Sequence, residues 1–187
     1  MNRTFVTVSA NLLACGLSFP AAAEVVESAS GGFATHDEVV VSADRSTVWQ
    51  ELVQPENWWS HTWSDDSSNL RLDQVAGGCF CETIPVHGDW PDGSVEHMRV
   101  IMAIPGSILR MSGSLGPLQS EGLIGTLTVT LDDAGEGTRI KWDYVTGGEA
   151  RFAPSQFAPV VDGVQSEFLA ALVARLDEAV DHPGASE

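Results

Sequence analysis

The chain has 187 residues, the size of one domain with a single core, and its 43% apolar and 19% charged residues suit a packed globular protein rather than a disordered one. Nine Lys and Arg face 26 Asp and Glu, for a net charge of −17; this excludes nucleic acid as a partner, because binding phosphates needs clustered cations, and it disfavours an anionic membrane surface. The acidity reads as solubility, with an acidic docking face as the other use of the same charge.

Met1-Asn2-Arg3 is followed by a mostly apolar run from Phe5 to Leu17 and by Pro20-Ala21-Ala22-Ala23 before Glu24. One early positive charge, a short apolar core and small residues at the cleavage positions predict a signal peptide over 1–23, and with it export to the periplasm or beyond the cell. Leu12-Leu13-Ala14-Cys15 is a lipobox-like alternative that would leave a lipidated Cys15. No later segment supplies about 20 continuous apolar residues, so no transmembrane segment is predicted. Residues 24–35, with Ser28, Ser30, Gly31 and Gly32, read as a flexible tether, and the folded domain as residues 36–183.

The β-branched run Val39-Val40-Val41 predicts the first strand, closed by Ser42-Ala43-Asp44. Asp44 can cap a short helix through Thr47, Val48, Trp49, Leu52 and Val53, and Pro55 ends it or opens another turn. Short strands then follow at hairpin spacing: Leu70 to Leu72, Cys79 to Ile84, Val95 to Ile104, Ile108 to Met111, Leu123 to Leu131, and Arg139 to Val145. Short connections between about seven strands imply an antiparallel meander. The end of the chain is helical from Pro154-Ser155. Val161, Val164, Phe168, Leu172 and Leu176 form an apolar stripe, widened by Leu169, Val173 and Val180, that must be buried against the sheet.

This order of elements resembles the START-like superfamily, also called Bet v 1-like or SRPBCC. Ser42-Ala43-Asp44 running into Val48-Trp49, Asn57-Trp58-Trp59, Gly77-Gly78-Cys79-Phe80-Cys81-Glu82, Val95 to Val100 and Leu115-Gly116-Pro117-Leu118 look like its bacterial branch described as polyketide-cyclase-like or similar to the activator of Hsp90 ATPase. The resemblance spans about residues 36–180. It implies an α+β helix-grip fold: a curved antiparallel sheet of about seven strands around the C-terminal helix, two short helices after the first strand, and an apolar cavity between sheet and helix. It does not select a function, since the superfamily hosts lipid carriers, cyclases, hormone receptors and co-chaperones. A co-chaperone role belongs in the cytosol and conflicts with the predicted export.

If the loop around Trp90 joins two strands whose paired residue numbers sum to about 180, alternation places Phe80, Glu82, Ile84, Glu96, Met98, Val100 and Met102 on one face, toward the helix. Glu82 then lies near Glu96. Two carboxylates in an apolar cavity could raise one pKa and serve as a general base, anchor a ligand, or pair with Arg110 or Arg151. Cys79 and Cys81 fall on the opposite face with His97 and Arg99. Three ligands at best are too few for a metal site, residues two apart on a strand sit awkwardly for a disulfide, and two thiols acting as small apolar groups is the favoured reading. Trp58, Trp59 and Trp63, with His61, either lid the cavity with indole N–H groups turned to a ligand or fill space under the short helices. His36, His61, His87 and His182 lie in loops or at the ends of the domain and give little support to histidine chemistry. No cofactor and no metal is implied.

The sequence therefore predicts an exported binder of a small apolar or amphipathic molecule, with Trp58, Trp59, Phe80, Glu82, Glu96, Met98, Phe168 and Leu172 around the ligand. The alternatives are a cyclase or aldol-type enzyme using Glu82 or Glu96 as general base, and a protein-interaction module.

Overall fold

A computed structural model of the chain describes residues 24–27 and 32–181. The predicted signal peptide, including Cys15, lies outside the described residues, as does the segment 28–31. The elements run β1 (Glu24–Glu27), β2 (Phe33–Val41), α1 (Arg45–Leu52), β3 (Leu70–Leu72), β4 (Cys79–Ile84), β5 (Gly93–Ile104), β6 (Ile108–Gly113), β7 (Gly122–Ala134), β8 (Gly137–Glu149) and α2 (Pro154–Asp181). Every strand pairs antiparallel with its neighbours, in the order β1-β2-β8-β7-β6-β5-β4-β3. This is the α+β helix grip: a curved sheet with a short helix early in the chain and a long one at its end.

The elements begin and end for local reasons. Asp44 caps α1, its carboxylate accepting from the Thr47 N–H at 2.9 Å, and Pro55 opens a separate 3-10 turn over Pro55–Asn57. The expected tether is the main correction. Glu24–Glu27 form a strand paired with Phe33–His36, and Phe33 is buried because the first strand starts six residues before the β-branched run that announced it. A polar, glycine-bearing stretch reads as linker in isolation; pairing with an open sheet edge gives it backbone partners that no local pattern reports.

β7 and β8 carry alternating inward residues, Leu127, Val129 and Leu131 opposite Tyr144, Trp142 and Ile140, all buried. Gly125 is fixed by packing: a Cβ there would overlap the Tyr144 ring, with atoms as near as 2.2 Å. α2 lays Phe168, Leu169, Leu172 and Leu176 into this core, and each buried side chain contributes roughly 1.5–3 kcal/mol. By length and composition alone Gln156–Ala179 is long and apolar enough to cross a membrane, although Asp162, Glu167, Arg175, Asp177 and Glu178 interrupt it; here its stripe is spent on the sheet.

The two halves of α2 pack differently. The second half is sealed, whereas in the first Val161 and Val164 are only partly buried and Val160 is exposed. Pro159 and Gly163 fall in this looser half, where a missing N–H donor and a residue of low helix propensity weaken the turn.

Candidate functional site

Beneath the loose half of α2 is a cavity of about 150 Å³. Phe157, Val160, Val161, Val164, Gln165 and Phe168 of α2 form one wall, Leu115 to Leu118 a second, and Trp59, His61, Trp63 and His97 the rest. The volume is close to that of a site for one benzene-sized ring and below the 300–1,000 Å³ typical of drug-sized ligands. The lining is aromatic and aliphatic. Trp59 stacks on Phe168 with ring centroids 3.6 Å apart and meets Phe80 edge-on at 4.8 Å.

Two buried polar side chains interrupt this wall, His97 and Gln165. His97 reaches it through an irregularity in the sheet. Along β4 and β5, Phe80 pairs with Met98 and Cys81 with Glu96, so His97 is an extra residue with no partner. A bulge of this kind turns the strand locally and re-aims a side chain, and both His97 and Met98 are buried as a result.

Glu82 holds the imidazole. Its carboxylate accepts from His97 Nε2 at 2.9 Å, from the Trp63 N–H at 3.0 Å and from the Ser64 N–H at 2.6 Å, with side-chain exposures of 0% for Glu82 and 3% for His97. Burial pushes the Glu82 carboxyl up, but the bonds from Ser64, Trp63 and His97 together outweigh it and leave the group below its ordinary value. For His97 burial wins: it lowers the imidazole despite the opposing pull of Glu82. The pair at neutral pH is thus a carboxylate and a neutral imidazole. An ionised carboxylate only accepts, so Nε2 carries the proton and Nδ1 is the acceptor. No described residue donates a hydrogen bond to Nδ1.

Gln165 is oriented in the same way. The Trp142 indole, a donor only, gives its N–H to Gln165 Oε1 at 2.7 Å, which leaves the amide NH₂ as the end without a bond among the described residues. The cavity is therefore mostly apolar, and its two buried polar side chains offer it an acceptor from His97 and a donor from Gln165.

Of the eight ligand residues expected from sequence, Trp59 and Phe168 line this cavity. Trp58 and Phe80 face only a gap of about 10 Å³, roughly one water, in the core. Met98 and Leu172 are fully buried core residues; a tryptophan at either would overpack rather than fill a cavity. Glu82 stands behind His97. Glu96 is on the opposite face, bonded to Arg99 and exposed, so the expected Glu82–Glu96 pair does not exist: the bulge shifts the register by one after Phe80, and a shift of one moves a side chain across the sheet. The same shift brings His97 inside, away from Arg99. Beyond a second irregularity between Val100 and Met102, Met102 is exposed rather than turned toward the helix. Arg110 and Arg151 bond to Thr128 and Glu121 instead of Glu82 or Glu96.

Of the three indole N–H groups expected over the cavity, Trp58 gives its own to the Glu51 carbonyl and Trp59 to the His61 carbonyl; Trp63, which lines the cavity, gives its indole N–H to no described residue. Cys79 and Cys81 are joined as a disulfide across a Cα separation of 5.4 Å, which corrects the reading of two free thiols. Their sulfurs and Glu96 place three donor atoms within 4.8 Å of one another, two of them taken up by the bond.

Neither a family model nor a curated protein matches the chain. Solved structures do. SA2116 from Staphylococcus aureus, of unknown function, superposes with a TM-score of 0.60 at 11% identity, covering 86% of this chain and 98% of its own. Mll3558 from Rhizobium loti gives 0.56 at 17% identity over 81% and 98%, and MLL2253 from Mesorhizobium loti gives 0.54 at 20% over 78% and 97%. Likenesses at these identities establish the fold, a helix grip, and name no activity.

Proposed function

We propose that this protein is an exported carrier or sensor of a small amphipathic molecule, about one aromatic ring in size, whose hydroxyl donates to His97 Nδ1 and accepts from the Gln165 amide. The observation behind this reading is the pairing of a free acceptor and a free donor in an otherwise apolar cavity of about 150 Å³. An apolar cavity without polar groups would accept a hydrocarbon; a ligand that displaces water from these two groups without bonding to them forfeits those bonds, which selects a molecule that bonds to both.

Phenol and toluene, which differ by that one group, are the probes. Phenol is expected to bind at least about tenfold more tightly than toluene, the worth of one net hydrogen bond, and His97→Phe should erase the difference. Val164→Trp should fill the cavity and abolish both while the thermal transition persists. Equal affinity for the two probes would remove the polar recognition, and no binding of either would leave the interaction-module reading in its place.

A second reading follows from the Glu82–His97 pair itself. A neutral imidazole fixed by a buried carboxylate is the arrangement of a general base. If chemistry occurs here the base is His97 with Glu82 as its positioning residue, and not Glu96. A rate that falls as His97 is protonated and is lost in His97→Gln would favour this reading over carriage.

A further inference from the structure

The Cys79–Cys81 bond has no evident structural task. Both cysteines belong to β4, so it ties no two elements together, and it encloses a single residue, Phe80. A disulfide stabilises mainly by restricting the unfolded chain, and more so the longer the loop it closes. A ring this small restricts almost nothing. Cys79 is within reach of an external thiol, and Arg99 offsets the charge of the one carboxylate beside it. Cys79 is only partly buried, with its Sγ 3.9 Å from Glu96 Oε2, and Arg99 bonds to that same carboxylate oxygen and to the Gly77 carbonyl; Cys81 is 6% exposed.

We propose that Cys79 and Cys81 form a reversible dithiol–disulfide centre that exchanges with an external thiol. The thiolate of that molecule attacks the accessible Cys79 Sγ, the Cys79–Cys81 bond breaks, and Cys81 leaves as a thiolate and takes up a proton. A second external thiol attacks the mixed disulfide and releases Cys79. Two thiols are oxidised to one disulfide, and the protein disulfide is reduced to two thiols.

The centre sits opposite the bulge that delivers His97. The ring spans Phe80, and the extra residue of β5 lies across from the Phe80–Cys81 link. In an extended strand residues two apart have Cα atoms roughly 6.7 Å apart, against 5.4 Å here, so opening the ring lets β4 lengthen where β5 bulges. The redox state is thereby communicated to the imidazole, whether or not the cavity is filled.

The test equilibrates the full chain with glutathione mixtures, alkylates free thiols, and maps the label by peptide mass, which separates Cys79 and Cys81 from Cys15. In parallel the His97 ring resonances are followed by NMR. The expected result is joint gain of label at Cys79 and Cys81 within the span of ratios glutathione can set, with His97 moving between two positions, and neither response in a Cys79→Ser, Cys81→Ser double variant. Reduction by dithiothreitol but not by glutathione would assign the reductant as a dithiol and support the centre. A bond that survives excess dithiothreitol in the folded protein, thiols that oxidised glutathione leaves reduced, or a His97 signal unmoved by reduction would each overturn the proposal.

Discussion

Two buried polar clusters lie under the helical side of this sheet, and they treat their carboxylates in opposite ways. At one, Glu82 is met by two backbone N–H groups and an imidazole, and its pKa falls. At the other, between β2 and α2, Asp37 has one partner, Ser166, whose hydroxyl donates to Oδ1 at 2.9 Å; Asp37 Oδ2, Thr35 Oγ1 and Asp162 Oδ1 are buried without a bond from any described residue. Burial raises the Asp37 carboxyl against the pull of Ser166 and His36, and burial with the charge of Asp37 raises Asp162. The burial is similar and the outcome is set by donors: a carboxylate stays charged in an interior only where N–H groups converge on it. The first cluster builds a site, and the second costs stability.

The comparison breaks most sharply at Glu82. Replacing it with leucine leaves the Trp63 and Ser64 N–H groups and the His97 ring without their acceptor. We expect a loss of about 3–5 kcal/mol in urea unfolding, the range for removing one member of a buried pair. A loss below about 1 kcal/mol would mean that the Trp63–Ser64 loop is free to find other partners.

The pH dependence should carry opposite signs for the two clusters. His97 has a folded pKa below 6.5 and Glu82 one below 4.5, so their contributions are complete above those values and disappear as the pH falls through the depressed ones. Asp37 and Asp162 have folded values above 3.8; their contribution is complete below 3.8 and disappears as the pH rises through the raised ones. Urea midpoints measured downward from pH 7 should therefore drop first through His97, and His97→Phe should flatten that first segment of the profile.

The smallest effect is expected at Asp162. Asp162→Asn removes a charge that its surroundings oppose and should stabilise the domain at neutral pH by up to about 1 kcal/mol, with the gain vanishing below pH 3.8. A destabilised variant would show that the Asp162 charge has a favourable partner.

Much of the scaffold was legible beforehand. Asp44 before α1, the alternation of Leu127, Val129 and Leu131 in β7, and the stripe ending at Leu172 and Leu176 each fix an element by local periodicity or capping, and the elements of β2 to β8 and α2 follow from them. The site was legible only in part. Trp59 and Phe168 stand out as large apolar residues at the right places, but alternation alone puts His97 on the opposite face. The only signal for it was an interruption of alternation in Val95-Glu96-His97-Met98, where a polar ring precedes a buried methionine. A period of two cannot register an inserted residue without knowledge of the partner strand.

Sequence by itself determined what depends on near neighbours along the chain: caps, strand and helix periods, the broad apolar stripe, and the excess of negative charge. Tertiary structure decided everything that depends on register between strands. One unpaired residue opposite Phe80 and Cys81 sent His97 to Glu82, sent Glu96 outward to Arg99, and set the disulfide against the bulge. The position of the cavity was decided in the same way. The stripe on α2 is continuous in sequence, but only its second half meets enough inward side chains to close the gap, and the space left under Val161 and Val164 belongs to the packing of the whole sheet.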